Sequence, residues 1–401
     1  MKNLSLVIII ILFKLSLCFS QDSIQDIKPL IYVEPGFMIG KIMPNYQDFP
    51  PYTNPVSFSV SIGKIDRSLN KEWVRYYNYP SVGIMFSYIR PGNDSLFGQE
   101  FSLMPYFEIN PPAGILRHIH LKVGLGCSYF TKCYNINTNP RNSEIGSRFN
   151  WAFQSNLFYS FFENRKFMFM MGIGFIHSSN GHTQLPNFGI NSYTLSVASK
   201  FILNSEIVNL KKPEIKPVVK RTNYYFFEVR DGIGIQQYGP AKGPPGTPKN
   251  PVYSFSVAGG IILGNCFKLL TGFTYRFYKQ HYDHIIENKT PELLDHPTLN
   301  ASNLFYYIGF EMLFGYVSTD LEVGVNIYKP FYKDFYLPYA SVTTTTYKLK
   351  SLIPTRLGLK LYLFDTNKIP RNNIYAGANI NANYTQADFS ELSVGYVRII
   401  K

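Results

Sequence analysis

Residues 177–191 hold the side-chain types of an acyl-transfer site: His177, Ser179, Asn180, Asn187 and Asn191. A histidine beside a serine can take the hydroxyl proton and turn the oxygen into a nucleophile, while a third side chain on the other ring nitrogen fixes the tautomer. That chemistry needs histidine, serine and the third group on one side of the backbone.

The flanking pattern meets this condition. Side chains two apart on a β-strand share a face. Phe167, Phe169, Met171, Ile173 and Phe175 make one face of large apolar groups, which continues in register into His177 and Ser179. The other face, Met168, Met170, Gly172, Gly174 and Ile176, becomes smaller toward its end, as the inside of a curved barrel often requires. After a polar turn, Asn191, Tyr193, Leu195, Val197, Phe201 and Leu203 repeat the apolar face against Ser192, Thr194, Ser196 and Lys200. His177, Ser179 and Asn191 therefore stand on a face that should press on lipid or a core. Two readings fit. The polar groups mark strand ends, where turn formers gather, or they form a triad in which the imidazole leans along the strand across about 7 Å to the serine. Spacing alone leaves both open.

The run His177-Ser178-Ser179-Asn180-Gly181, followed by Gln184-Leu185-Pro186-Asn187-Phe188-Gly189-Ile190-Asn191, resembles the His-x-Ser-Asn and Asn-x-Gly-Ile-acid signature of the PagL-like lipid A 3-O-deacylases. The resemblance implies an outer-membrane β-barrel esterase that removes an acyl chain from lipid A. It implies Ser179 as nucleophile, His177 as base, Asn191 in the place of the acid that orients the base, and Asn187 in the oxyanion hole. Asn180 and backbone N–H groups near Gly181 are expected beside Asn187. The sharp motif covers about residues 167–200, and the strand pattern fits over roughly residues 30–205.

The chain departs from that pattern at Asn191. No Asp or Glu lies between Lys166 and Asn204 to replace the missing acid. An amide oxygen still accepts from an imidazole N–H, but it places no negative charge behind an imidazolium, and the same exchange in a serine protease costs on the order of 10⁴ in rate.

The rest of the chain must supply the strands. Lys2 and the apolar run Leu4 to Phe13, too short to span a bilayer as a helix, read with Cys18-Phe19-Ser20 as a signal peptide over residues 1–20. Aromatic residues make up 16% of the chain and charged residues 16%, with Tyr and Phe spread throughout. Amphipathic helices are nearly lacking, and segments of about ten residues alternate apolar and polar between turns, as in a transmembrane barrel. Strands are expected near residues 30–42, 53–66, 81–91, 97–108, 116–130, 147–162, 166–179 and 191–206. With a periplasmic N-terminus the seventh runs outward. Residues 163–166 are then a periplasmic turn and 180–190 an extracellular loop, which puts the triad at the outer edge of the membrane on the lipid face.

The second half repeats the first. Asn54-Pro55-Val56-Ser57-Phe58-Ser59-Val60 recurs as Asn250-Pro251-Val252-Tyr253-Ser254-Phe255-Ser256-Val257, each after a Pro-Pro pair. Where the active hairpin should recur stands Ile380-Asn381-Ala382-Asn383-Tyr384, without His or Ser. The expected organisation is a catalytic unit over 21–207, a Lys- and Pro-rich linker over 208–222, and a degenerate unit over 223–401. The fold class is all-β, a transmembrane antiparallel barrel of roughly 14–16 strands from a duplicated eight-stranded unit. The strands can close as one wide barrel, the simpler assembly, or as two tandem eight-stranded barrels.

Other features point elsewhere only weakly. His118 and His120 share a face with Lys122 and read as lumen or strand-end groups; His281, His284 and Glu287 have a helical metal spacing but no fourth ligand. No disulfide is assigned. The net charge of +13 suits the anionic surface of lipid A, with Lys132, Arg141 and Arg148 as phosphate contacts, better than nucleic acid, for which no recognition element is visible. The expected activity is hydrolysis of a lipid A acyl ester at the bacterial outer membrane, with lipopolysaccharide as substrate and neither cofactor nor metal. The competing reading is a channel or structural barrel that keeps the motif as a relic.

Overall fold

The computed structural model describes residues 28–46, 48–68, 71–109, 115–205, 223–243, 245–336 and 344–400. The expected signal peptide and the whole of the expected linker lie outside these residues. Sixteen strands carry the fold. The first eight are β1 Leu30–Ile42, β2 Val56–Ile65, β3 Ser81–Arg90, β4 Glu100–Ile109, β5 Ile119–Phe130, β6 Phe149–Glu163, β7 Phe167–Ser179 and β8 Ile190–Ile202. The second eight are β9 Asn223–Gln237, β10 Lys249–Leu263, β11 Phe267–Tyr278, β12 Ser302–Phe314, β13 Val317–Tyr328, β14 Pro354–Tyr362, β15 Asn372–Asn383 and β16 Gln386–Ile399.

Each set of eight closes on itself, antiparallel throughout. The single wide barrel preferred on grounds of simplicity is thus corrected to the tandem alternative. The reason is register: β8 returns to β1 from Tyr32↔Ile202 to Ile42↔Ser192, and β16 returns to β9 from Ser390↔Ile235 to Ile399↔Phe226. No strand edge is left on either sheet to accept the other, and closure removes unpaired backbone groups from the membrane.

The alternation read from the sequence sorts side chains to the two sides of each wall. Large apolar groups stand exposed outside, among them Phe58, Ile62, Ile173 and Leu195 on the first barrel and Ile233, Phe273, Ile308 and Leu392 on the second. In a bilayer this band faces lipid. The inside is polar and filled. In the first lumen Lys122 meets Glu34 at 2.6 Å, Lys200 meets Glu108 at 2.6 Å, and the Tyr32 and Tyr106 hydroxyls lie 2.6 Å apart. His120 lies 3.6 Å from Glu108 in the same network, as the lumen reading of that residue expects. In the second lumen Lys268 meets Glu228 at 2.6 Å, Arg356 meets Asp320 at 2.6 Å, and Arg230 pairs with Glu322. An eight-stranded barrel is just wide enough for its own side chains, and among the described residues no wide aqueous pore runs through either one. The filled lumens do not favour the channel reading.

The barrels also touch. At one rim the short helix Glu72–Tyr76 buries Trp73 and Val74; the Trp73 ring packs edge-on against Phe314 at 5.7 Å, and the Tyr77 hydroxyl donates to the Cys266 carbonyl at 2.7 Å. At the other rim the contact is made by the loop after β7. The helical spacing of His281, His284 and Glu287 is realised in the helix Lys279–Glu287, but His281 is stacked between Tyr278 and Phe331 at 4.5 and 4.2 Å.

Candidate active site

Strands β6, β7 and β8 place the site. In the β7–β8 ladder His177 stands directly opposite Asn191, and in the β6–β7 ladder Trp151 stands opposite Ser179 and Phe153 opposite His177. Cross-strand partners on one face have Cβ atoms about 5 Å apart, within reach of a side-chain hydrogen bond. His177 Nδ1 lies 2.7 Å from Asn191 Oδ1, and His177 Nε2 lies 2.9 Å from Ser179 Oγ. The amide oxygen can only accept, so the proton sits on Nδ1 and the Nε2 lone pair faces the serine hydroxyl. This is the orientation in which an imidazole takes a proton from serine. No carboxylate ion-pairs with His177 among the described residues.

Asn191 is itself held. Its Nδ2 donates to Asn45 Oδ1 at 3.2 Å, and Asn45 Nδ2 donates to the Gly189 and Phe188 carbonyls at 2.9 and 3.2 Å. Asn45, in the loop after β1, thereby turns the amide oxygen of Asn191 toward the histidine. Sequence reading missed it, because it lies 146 residues away along the chain and no local spacing marks it.

Ser179 faces outward, yet it is only 4% exposed. Gly189 passes over it with φ +71°, and a Cβ there would lie 3.0 Å from the Ser179 Cβ and 3.2 Å from the His177 ring. Glycine at this motif position is what lets the loop cover the pair. The neighbour Ser178 points into the lumen and donates to Glu100 at 2.5 Å, so the two adjacent serines have separate environments.

The other expected residues divide. Asn187 Oδ1 accepts from the Asn180 backbone N–H at 2.9 Å, which leaves the Asn187 Nδ2 group as a donor not taken up by protein among the described residues. Asn180 spends its side chain on the loop, its Nδ2 donating to the Gln184 carbonyl at 2.7 Å. Gly181 has φ +63° and sits beside Trp151. The Asn180 N–H thus fixes the Asn187 amide by its oxygen and leaves its Nδ2 as the outward donor.

The rim around the site is set by the loop between β5 and β6. Glu144 accepts from the Tyr46 hydroxyl at 2.5 Å, and its backbone carbonyl accepts from Gly189 N–H at 2.9 Å. Burial pushes the Glu144 carboxyl up, partly offset by the Tyr46 bond. Of the expected phosphate contacts, Lys132, Arg141 and Arg148 are all exposed on this rim; Lys132 Nζ donates to the Ser95 carbonyl at 3.0 Å and Arg148 to the Tyr129 hydroxyl at 2.8 Å.

Residues 64–200 match the family model described as lipid A 3-O-deacylase (PagL). No curated protein matches the chain. Among solved structures, it is similar to the crystal structure of the outer membrane enzyme PagL at 16% identity, covering 41% of this chain and 97% of that one, with a TM-score of 0.28. It is also similar to the Yersinia pestis outer membrane protein Ail in a phospholipid bilayer nanodisc, at 14% identity over 42% of this chain and 99% of that one, with a TM-score of 0.24. CdiB from Acinetobacter baumannii is matched at 8% identity over 94% of this chain and 61% of that one, with a TM-score of 0.18. The family match falls on the barrel that carries His177 and Ser179.

Proposed function

We propose, for a chain whose first barrel is of the PagL-like lipid A 3-O-deacylase family, that hydrolysis runs through Ser179 as nucleophile, His177 as general base and Asn191 as the orienting group. The protein is an ester hydrolase of the bacterial outer membrane. The observation that carries the finer reading is the bridge made by one imidazole: Asn191 Oδ1 on Nδ1 at 2.7 Å and Ser179 Oγ on Nε2 at 2.9 Å, on the outward face of the wall.

The reaction then follows from the geometry. The Ser179 hydroxyl proton passes to His177 Nε2 as Oγ bonds to the acyl carbonyl carbon, and the carbonyl oxygen becomes an oxyanion. Asn187 Nδ2 donates to it. The imidazolium returns the proton to the departing sugar oxygen and the C–O bond breaks; water then gives a proton to His177 as it attacks the acyl carbon, the bond to Ser179 Oγ breaks, and His177 returns the proton to Oγ as the fatty acid leaves. Apolar residues below the site, Phe175 and Ile173 on β7 and Tyr193 and Leu195 on β8, give the acyl chain a surface within the bilayer. The chain need not leave lipid to be cut. Asn191 supplies orientation without charge, so the imidazolium intermediate rests on hydrogen bonding alone.

Purified protein in detergent micelles with lipid A tests this. A fluorophosphonate probe should block fatty-acid release and label Ser179, found by peptide mass spectrometry. Label on another residue, with release blocked, would contradict the assignment.

A further inference from the structure

The loop between β7 and β8 carries the proposed oxyanion donor, and most of it is held by the other barrel. Gln237, the last residue of β9, receives the Leu185 N–H on Oε1 at 2.7 Å, and its own N–H donates to the His182 carbonyl at 3.1 Å. Beyond it, the Gly239 carbonyl accepts from His182 Nε2 at 2.9 Å and the Ala241 carbonyl from the Asn187 N–H at 2.7 Å. Burial lowers the His182 imidazole from its ordinary range, and because a carbonyl can only accept, Nε2 is the ring nitrogen that carries the donated proton. On β16, Ser390 accepts from the Trp151 indole at 2.9 Å and donates to the Asn180 carbonyl at 3.3 Å. A Cβ on Gly181 would come within 2.2 Å of Ser390 Oγ, so that glycine admits the second barrel as well as the left-handed turn.

The first barrel holds the loop mainly at its 188–189 end, through the Ser143 and Glu144 carbonyls and the Asn45 amide, and reaches its middle through a side-chain bond from Gln184 to the Gly146 carbonyl. Asn187 is where the two sets of contacts meet. Its backbone N–H is bound to the second barrel and its side chain to Asn180, whose carbonyl is in turn held by Ser390. Without those contacts the loop's backbone groups would turn to water, and the donor would wander from the place where the oxyanion forms.

We infer that the second barrel is a positioning device for the first: the rim formed by Gln237, Gly239, Ala241 and Ser390 clamps the loop so that Asn187 is preset for the oxyanion. The inference rests on the serine reading above. It gives the degenerate repeat a role that needs no catalytic residue of its own.

The test uses the full-length protein in detergent and three variants. Gln237→Met removes the acceptor for Leu185 N–H at similar volume, and Gln237→Glu keeps that acceptor while giving up the bond from Nε2 to the Thr247 carbonyl. Ser390→Ala is the milder second probe. Folding is followed by the heat-modifiable electrophoretic shift of the barrels. Gln237→Met should lower kcat by about 10- to 100-fold with KM within about twofold, as expected for loss of transition-state contacts alone. Gln237→Glu should recover most of that loss, and Ser390→Ala should cost several-fold. Hydrogen exchange at the Leu185 and Asn187 amides should accelerate about tenfold or more in Gln237→Met. Wild-type kcat in that variant, a change confined to KM, or a Gln237→Glu no better than Gln237→Met would overturn the proposal. Ser179→Ala is run beside them. If its hydrolysis equals wild type, the serine reading fails, and loop exchange then decides the clamp separately: acceleration in Gln237→Met supports it and unchanged exchange overturns it.

Discussion

Strands β7 and β15 are the seventh of eight in their barrels, and both carry polar residues toward the same rim, but on opposite faces. On β7 His177 and Ser179 point out of the barrel. On β15 the outward positions are Ala378, Ile380 and Ala382, and the polar residues Asn379, Asn381 and Asn383 point in. There Asn379 accepts from Arg356 at 2.6 Å, Asn381 from Arg276 at 2.5 Å and Asn383 from Lys329 at 2.6 Å. A shift of one residue in parity moves a polar group from one side of the wall to the other. Inside, it satisfies a buried charge; outside, at the membrane edge, it can meet substrate. The connections differ in the same sense. Residues 180–189 form a long loop over Ser179, whereas β15 and β16 are joined by the tight turn Tyr384-Thr385.

The contrast can be broken most severely at the nucleophile. Ser179→Ala should lower deacylation by at least about 10⁴-fold and leave the heat-modifiable shift unchanged. The matching change in the second barrel, Asn381→Ala, should do the reverse. It strips an acceptor from buried Arg276 and should cost about 1–3 kcal/mol in urea unfolding, with kcat unchanged. Arg356 offers a harsher version, since it pairs with Asp320, Glu322 and Glu391 at 2.6, 3.2 and 3.3 Å. Arg356→Met strips the guanidinium from Asp320 and Glu391 and leaves Glu322 to Arg230 alone, and should destabilise by about 3–5 kcal/mol, again without lowering the kcat of the folded fraction.

The orienting amide gives a smaller effect. Asn191→Ala should slow deacylation by about 10- to 100-fold, because the imidazole keeps its serine but loses its preferred tautomer. Restoring an acid is not expected to help alone: in Asn191→Asp a carboxylate oxygen would face Asn45 Oδ1 where Nδ2 now donates. Asn191→Asp combined with Asn45→Ala should therefore be faster than Asn191→Asp, measured as kcat on lipid A micelles. A pH dependence separate from catalysis concerns Lys329, outside the strands at the mouth of the second barrel, where burial lowers the ammonium from its ordinary 10.5 to about 7. Between those values the unfolded chain holds a proton that the folded chain lacks, so stability should rise from about pH 7 toward pH 10 and be level below pH 7. In urea titrations across that range, Lys329→Met should flatten the slope.

Much of this was legible in the sequence because a membrane wall has a period of two. The outward run Phe167 to Phe175 by itself sets His177 and Ser179 on the lipid side, and the eight expected strands of the first half lie within a few residues of β1 to β8. Closure was not legible. Alternation is the same in one wide barrel or two narrow ones, and only the pairing of β8 with β1 distinguishes them. Asn45, Gln237 and Ser390 were equally hidden, since each reaches the site through the fold from a distant segment whose own pattern is that of any loop or strand. Asn180 was expected by motif beside Asn187, and that its side chain braces the turn through Gln184 was not legible in the sequence.

The most direct test is mass spectrometry of lipid A from cells that make the wild-type protein, Ser179→Ala or neither, with folded barrel verified in the outer membrane of the first two. The wild type alone should shorten lipid A by one ester-linked acyl group, and the mass lost identifies that group. An identical loss with Ser179→Ala, or intact lipid A beside folded wild-type protein, would contradict the assignment of this hairpin as a serine deacylase.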